Sequence, residues 1–191
     1  MANGVGRGEP EPPRCVLGIG GGIAAYKVAF LASRLVQKGV SVRVAMTEHS
    51  QRFVGAVTFG GLTGRQPILR STQVDPDGSV PHIDAAQGAQ AYLIAPATAG
   101  ILAQLASGAT DDPVALLATT VRCPIIVCPA MNDAMWHAPG VQRNVEMLRA
   151  RDRLEFLGPV EGHLAEGYDA IGRMVEPEAM LARLSELLGV S

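Results

Sequence analysis

Cys15-Val-Leu-Gly-Ile-Gly20-Gly-Gly-Ile-Ala-Ala25-Tyr-Lys27 is the stretch that decides the fold. The apolar run from Cys15 to Ile19 stops at glycines. Over residues 23–38 the apolar positions Ile23, Val28, Phe30, Leu31, Leu35 and Val36 then recur at helical spacing. Gly39 stands where helices commonly end on a left-handed residue. A strand that enters a helix through a glycine turn opens a parallel α/β sheet. The turn also has a chemical use. Glycines let a phosphate approach the backbone, and the helix N-terminus offers N–H donors and a partial positive charge. The pattern departs from the dinucleotide fingerprint, because Ala24 or Ala25 stands where a third glycine would fall, and no P-loop Lys-Ser/Thr follows. It points to a phosphate-bearing ligand, with a plain tight turn as the alternative.

Outward from this unit the chain keeps alternating. Strands are expected at residues 40–46, 92–95, 125–128 and 154–157. Helices are expected at 51–62, 98–106, 113–120, 141–151 and 177–188, and an irregular connection at 68–81. Strands separated by helices pair in parallel through crossovers. The expected architecture is a single Rossmann-like (flavodoxin-like) α/β domain over residues 15–191, a doubly wound parallel sheet with helices on both faces. Residues 1–14, rich in Gly, Pro, Glu and Arg, are expected to form a disordered N-terminal arm.

The 191 residues are 48% hydrophobic and 18% charged, enough for one well-buried domain. A net charge of −2 and the lack of a polybasic run argue against nucleic acid and membrane surfaces as partners. Lys27 and Lys38 are the only lysines, which reads as genome composition. No signal-peptide core or membrane-length apolar stretch occurs. Cys15, Cys123 and Cys128 have no metal-ligand spacing and read as buried thiols in a reducing cytosol, so no metal is expected.

In an open parallel sheet, ligands bind beyond the carboxyl ends of the strands. The residues at those ends are therefore the candidates. Thr47 and Ser50 follow the second strand and could add hydroxyl contacts to a phosphate. Thr98 and Ala99 follow the third, where small residues leave space for a flat ring, although small residues also serve close helix–sheet packing. Pro129-Ala130-Met131-Asn132 follows the fourth. An Asn there, with one acceptor and two N–H donors, can hold a carboxylate or a polarised flavin oxygen, or be a polar turn residue. His82, one of four histidines, follows the irregular connection; a loop histidine is by default solvated.

Taken in order, Gly21-Gly-Ile-Ala-Ala-Tyr-Lys27, Met46-Thr47, His82-Ile83, Ile94-Ala-Pro-Ala-Thr98, Pro129-Ala-Met-Asn132, Met135-Trp136 and Gly172-Arg-Met174 resemble the homo-oligomeric flavin-containing cysteine decarboxylases. This family includes phosphopantothenoylcysteine decarboxylase and the enzymes that decarboxylate the C-terminal cysteine of ribosomal peptides. The resemblance runs over residues 15–188. It implies FMN, with the phosphate at Gly21, Gly22, Ile23 and Thr47, joined by Ser50, and the ring near Thr98 and Ala99. FAD stays open, since no adenine-site motif settles the point. The resemblance further implies His82 as the active-site histidine, Asn132 as the group that grips the substrate carboxylate, and Met131 beside it. It also implies a homotrimer, or a dodecamer of trimers, with the histidine supplied across the subunit interface.

The chemistry suits these residues. A cysteine carboxylate does not lose CO2 readily, because the resulting carbanion has nowhere to place its charge. Oxidation of CH2–SH to a thioaldehyde by a flavin puts the carboxylate β to a C=S bond, and CO2 loss then gives an enethiolate. By the resemblance, His82 would be the base or positioning group for the oxidation and Asn132 would orient the carboxylate.

Two departures choose between branches. The pantothenate-pathway enzymes carry Leu-Ala-Cys-Gly on a flap, and that cysteine returns electrons and a proton to reduce the enethiolate. This chain reads Leu164-Ala165-Glu166-Gly167, on an expected flap over residues 162–171 that would close on the substrate. With glutamate there the reaction should stop at an aminoenethiol, with O2 as outside oxidant. Gly100 also stands where Asn or Asp is usual, which removes one polar contact. The expectation is therefore a cytoplasmic, flavin-dependent peptidyl-cysteine decarboxylase of ribosomal-peptide biosynthesis. Its substrate would be a peptide ending in cysteine, met by Asn132, Met131, Leu164, Ala165 and Glu166. The alternatives are phosphopantothenoylcysteine decarboxylase, with Glu166 as proton donor, and a non-catalytic flavin-binding regulatory subunit, which retention of His82 and Asn132 disfavours.

Overall fold

The structure, a computed structural model, describes residues 11–191. The arm expected over residues 1–14 lies outside the described residues as far as residue 10. Its last residue, Arg14, is instead the first of strand β1 (Arg14–Ile19), with its N–H donated to Gln90 Oε1 at 3.0 Å.

After β1 come α1 (Ala25–Gln37), β2 (Ser41–Met46), α2 (Ala56–Thr63), α3 (Pro81–Ala86) and β3 (Ala91–Ala97). There follow α4 (Ala99–Ser107), α5 (Pro113–Thr120), β4 (Ile125–Pro129), α6 (Asp133–His137) and α7 (Pro139–Arg149). The chain closes with β5 (Leu154–Phe156), β6 (Val160–His163), β7 (Asp169–Arg173) and α8 (Pro177–Leu188). The first five strands form one parallel sheet in the order β2-β1-β3-β4-β5. That is the flavodoxin-like order, with its switch point between β1 and β3.

Strand residues point alternately to the two faces, and each face has its own core. Cys15, Leu17, Ile19 and Leu93 pack with Val28, Leu31 and Leu35 of α1 and with Met180, Leu184 and Leu188 of α8. Val16, Tyr92, Ile94 and Val127 pack with Leu102 and Leu105 of α4, Val114 and Leu117 of α5, and Leu148 of α7. Burial on both faces is why these strands read as continuous apolar runs.

Several local expectations need correction. The helix expected over 23–38 begins at Ala25, and Ile23, Phe30 and Val36 are exposed, so only Val28, Leu31 and Leu35 of its apolar series reach the core. The helix expected over 51–62 divides into a 3-10 turn, His49–Arg52, and α2, because Gly55 between them is extended. The irregular connection starts with a parallel bridge from Ile68 to Ala45 that lengthens the sheet edge beside β2. His82 lies in α3, a short helix started by Pro81, where a turn was expected. The flap proves to be an antiparallel hairpin, β6 with β7, which periodicity did not reveal. Among the described residues no helix is long and apolar enough to cross a membrane.

Candidate active site

The glycine turn is shaped by its neighbours. A Cβ on Gly20 would lie 2.0 Å from the Pro96 carbonyl oxygen, and one on Gly21 would lie 2.6 Å from His49 Cβ. The turn is thus wedged between the ends of β2 and β3, where any side chain would push it out. Gly22 is looser, its nearest neighbours being Pro96 and Thr98 at 3.5 Å and beyond. Helix α1 has no side-chain N-cap and no acidic residue in its first turn. Among the described residues, no acceptor takes the N–H groups of Gly21, Gly22 or Ile23. These unspent donors belong to the turn just ahead of α1, whose Ala25 and Lys27 N–H groups are already given to the Gly22 and Ala24 carbonyls. Successive free backbone N–H groups in a turn suit an anionic group. A flavin phosphate fits this cradle.

Thr47 and Ser50 stand behind the turn, both buried. The Ser50 N–H donates to Thr47 Oγ1 at 3.0 Å, and Ser50 Oγ donates to the Thr47 carbonyl at 2.7 Å. Thr47 therefore keeps its hydroxyl hydrogen for an incoming acceptor, whereas the Ser50 hydroxyl already uses its own. Ser50 shapes the turn. Thr98 caps α4, its oxygen accepting the Ile101 N–H at 3.4 Å, and Ala99 begins that helix partly exposed. Gly100 has room for a side chain, with only Thr98 Oγ1 in range at 3.8 Å.

At the end of β4 the amide of Asn132 is divided between two tasks. Its Oδ1 accepts the Met135 N–H at 2.9 Å and so caps α6. The Nδ2 group, with two hydrogens, has no partner among the described residues and remains available to a carboxylate. Met131 is partly buried against the core on the α4, α5 and α7 face of the sheet, and its N–H donates to Gly172 O at 3.0 Å. In the turn between β6 and β7, Leu164 is buried while Ala165 and Glu166 are exposed.

Sequence reasoning missed three features here. Tyr168, at the tip of the hairpin, donates its hydroxyl to Asp133 Oδ1 at 2.6 Å. That bond holds the Asp133 carboxyl below the ordinary carboxylate range. Lys27 of α1, largely buried, meets both carboxylate oxygens of Glu176 at 2.9 Å, and Arg173 of β7 joins the same carboxylate. The glycine-turn helix and the hairpin base are thereby tied together. Finally, Asp112 caps α5 through the Val114 N–H at 2.8 Å; burial raises its carboxyl, against the lowering effect of that bond and of nearby His49. The motif stretches containing Lys27 and Gly172-Arg-Met174 signalled the second feature, without showing that they touch.

His82 is not hydrogen-bonded to the other candidates among the described residues. It lies partly buried on α3, which packs against α5. Ile23 (65% exposed), in the turn ahead of α1, and Tyr26 (61%) and Phe30 (45%) of α1 are exposed apolar side chains at this end of the helix. The three cysteines are all buried, and burial pushes each thiol above its ordinary range. Among the described residues no group of three or more His, Cys, Asp or Glu is placed to hold a metal.

Comparison with known proteins matches residues 6–189 to the model of the Flavoprotein family. The chain is 40% identical over 163 residues to the coenzyme A biosynthesis bifunctional protein CoaBC of Bacillus subtilis, covering 85% of this chain and 40% of that relative. It thus spans less than half the length of that relative. Among solved structures, a PPC decarboxylase mutant complexed with pantothenoylaminoethenethiol matches with a TM-score of 0.79 at 25% identity, over 92% of this chain and 97% of that one. The FMN-dependent cysteine decarboxylase SpaF matches with a TM-score of 0.74 at 27% identity, over 93% and 96%.

Proposed function

This chain belongs to the Flavoprotein family, and on that footing we propose that it is an FMN-dependent decarboxylase of a peptide's C-terminal cysteine, leaving an aminoenethiol. The observation that carries this reading is the flap. Its tip presents Glu166 to solvent, and the chain's three cysteines are buried in or beside the sheet with thiols that resist ionisation. No thiol is at hand to take part in reducing an enethiolate to a saturated product. The PPC decarboxylase mutant matched above is complexed with a molecule of the same enethiol class.

The N–H groups of Gly21, Gly22 and Ile23 and the Thr47 hydroxyl would hold the FMN phosphate, with Ser50 bracing Thr47 and with Thr98 and Ala99 beside the ring. FMN, when bound, accepts the two electrons that leave the CH2–SH group. Asn132 Nδ2 donates to the substrate carboxylate and fixes it for loss. His82 takes up the proton released in the oxidation, or positions the group that does. In this reading a second copy of the chain lends His82 to the site; the lack of any hydrogen bond between His82 and Asn132 among the described residues of one subunit is in keeping with it. The exposed side chains of Ile23, Tyr26 and Phe30, beside the glycine turn, are the apolar face through which such copies would associate in a trimer. Net, the peptide loses CO2 and two hydrogens.

Identity of 40% to a coenzyme A biosynthesis protein favours a second reading, phosphopantothenoylcysteine decarboxylase with Glu166 as proton donor. The hairpin tip weighs against a phosphate-bearing substrate, since Glu166 and Asp133 both lie near Tyr168 there, whereas Arg173 at the hairpin base is already paired with Glu176. Mass spectrometry decides. A short peptide ending in cysteine, incubated in air with the purified yellow protein, should lose about 46 mass units. An unchanged peptide, with a loss of about 44 from phosphopantothenoylcysteine, would overturn the first reading in favour of the second.

A further inference from the structure

The hairpin is attached to the body of the domain at two kinds of place. At its base the Met131 N–H donates to Gly172 O at 3.0 Å, and Arg173 pairs with Glu176. At its tip the turn is closed on itself, the Leu164 N–H donating to Tyr168 O at 2.9 Å and the Gly167 N–H to Leu164 O at 3.0 Å. From that tip one side chain reaches back across 35 positions of sequence. Tyr168 donates its hydroxyl to Asp133 Oδ1 at 2.6 Å. Asp133 directly follows Asn132, whose amide the proposed function assigns to the substrate carboxylate.

We infer that Tyr168 is a positioning residue that latches the hairpin tip over the carboxylate-binding amide of Asn132, with Asp133 as the catch. The inference rests on the proposed site. A bond this short to a carboxylate is of the charge-assisted kind. Yet Tyr168 is 43% exposed, so water competes for both partners and the bond adds little to overall stability. A contact that is directional, solvent-exposed and weak in net terms is suited to opening and re-forming. When it is open, a peptide end can reach Asn132. When it is closed, the tip excludes water and fixes where Leu164 and Glu166 lie over the bound end. Asp133 gives up no capping duty to do this, because α6 is capped by Asn132.

The test uses the full-length, flavin-bearing protein. Tyr168→Phe keeps the ring and removes the donor. Amide exchange at Leu164 and Gly167 should quicken roughly fivefold, the effect of losing about one hydrogen bond's net free energy. For a short Cys-terminated peptide, KM should rise by roughly the same factor with kcat little changed, while the flavin spectrum stays as it was. Asp133→Asn retains the acceptor oxygen but not its charge, and should fall between the unmodified protein and Tyr168→Phe in both exchange and KM. Asp133→Ala should match Tyr168→Phe, and the double variant should be no worse than either. Unchanged exchange in Tyr168→Phe would overturn the latch; quickened exchange with unaltered KM would overturn its role in positioning substrate. Exchange needs no substrate, so a peptide that is never turned over would sink the proposed substrate while the exchange still judges the latch.

Discussion

Gly172 lies so close to Met131 that the two residues share one backbone contact and leave no space beside it. The Met131 N–H donates to Gly172 O at 3.0 Å, and a Cβ on Gly172 would come within 2.2 Å of the Met131 carbonyl oxygen. Gly172 also has φ +136°, a region that side-chain-bearing residues rarely enter. The hairpin base is thereby seated on the segment that presents Asn132. A glycine is required on both counts.

Gly172→Ala should lift the hairpin from Met131 and cost about 2 kcal/mol from backbone strain and the displaced contact. For a domain of this size that lowers Tm by about 6 °C. A thermal melt within a degree or so of the unmodified protein would show that the hairpin base tolerates displacement.

Asn132 allows its structural and chemical duties to be separated. Asn132→Asp keeps an oxygen to cap α6, since Asp and Asn cap equally well, and loses the Nδ2 donor while adding a repelling charge. Stability should hold while KM for the Cys-terminated peptide rises and kcat falls. Asn132→Ala should lose activity and about 1 kcal/mol of stability as well. Unaltered kinetics in the Asp variant would mean that the carboxylate is held elsewhere.

His82→Asn should leave the protein yellow and abolish turnover, because His82 lies on α3 and makes no hydrogen bond to the glycine turn among the described residues. Absorbance of the purified variant reports flavin retention, and CO2 release from the peptide reports turnover. Full activity would remove His82 from the mechanism.

The Lys27–Glu176 pair predicts a pH dependence. The hydrogen bond from Lys27, then its charge and that of Arg173, hold the Glu176 carboxyl below its ordinary range. A folded-state pKa that is depressed contributes stability above the unfolded value, and that contribution is lost as pH falls through the folded value. Glu176→Gln should therefore melt lower near neutral pH. The cost is about 1 kcal/mol, kept small by the half-exposed position of Glu176. In acid the two melting curves should converge. A gap that persists there would show that the loss is one of packing.

The sequence by itself determined the alternation of strands and helices and the sheet edge at which the proposed site residues emerge. Apolar runs such as Cys15 to Ile19 and Ile125 to Cys128 need cover on both faces, and only intervening helices provide it. Once the sheet is parallel, Thr47, Thr98 and Asn132 must emerge together at its carboxyl edge. The tertiary structure alone decided the strand order, the burial of Leu31 but not Phe30, and the division of Asn132 between α6 and an open donor. It also decided that Gly172 sits on Met131, that Tyr168 reaches Asp133, and that Lys27 meets Glu176. The physical reason is range. Periodicity records which face of one element is apolar, a property of neighbours three or four positions apart. A hydrogen bond across 35 or 149 positions depends on how separate elements dock, and no local pattern encodes that.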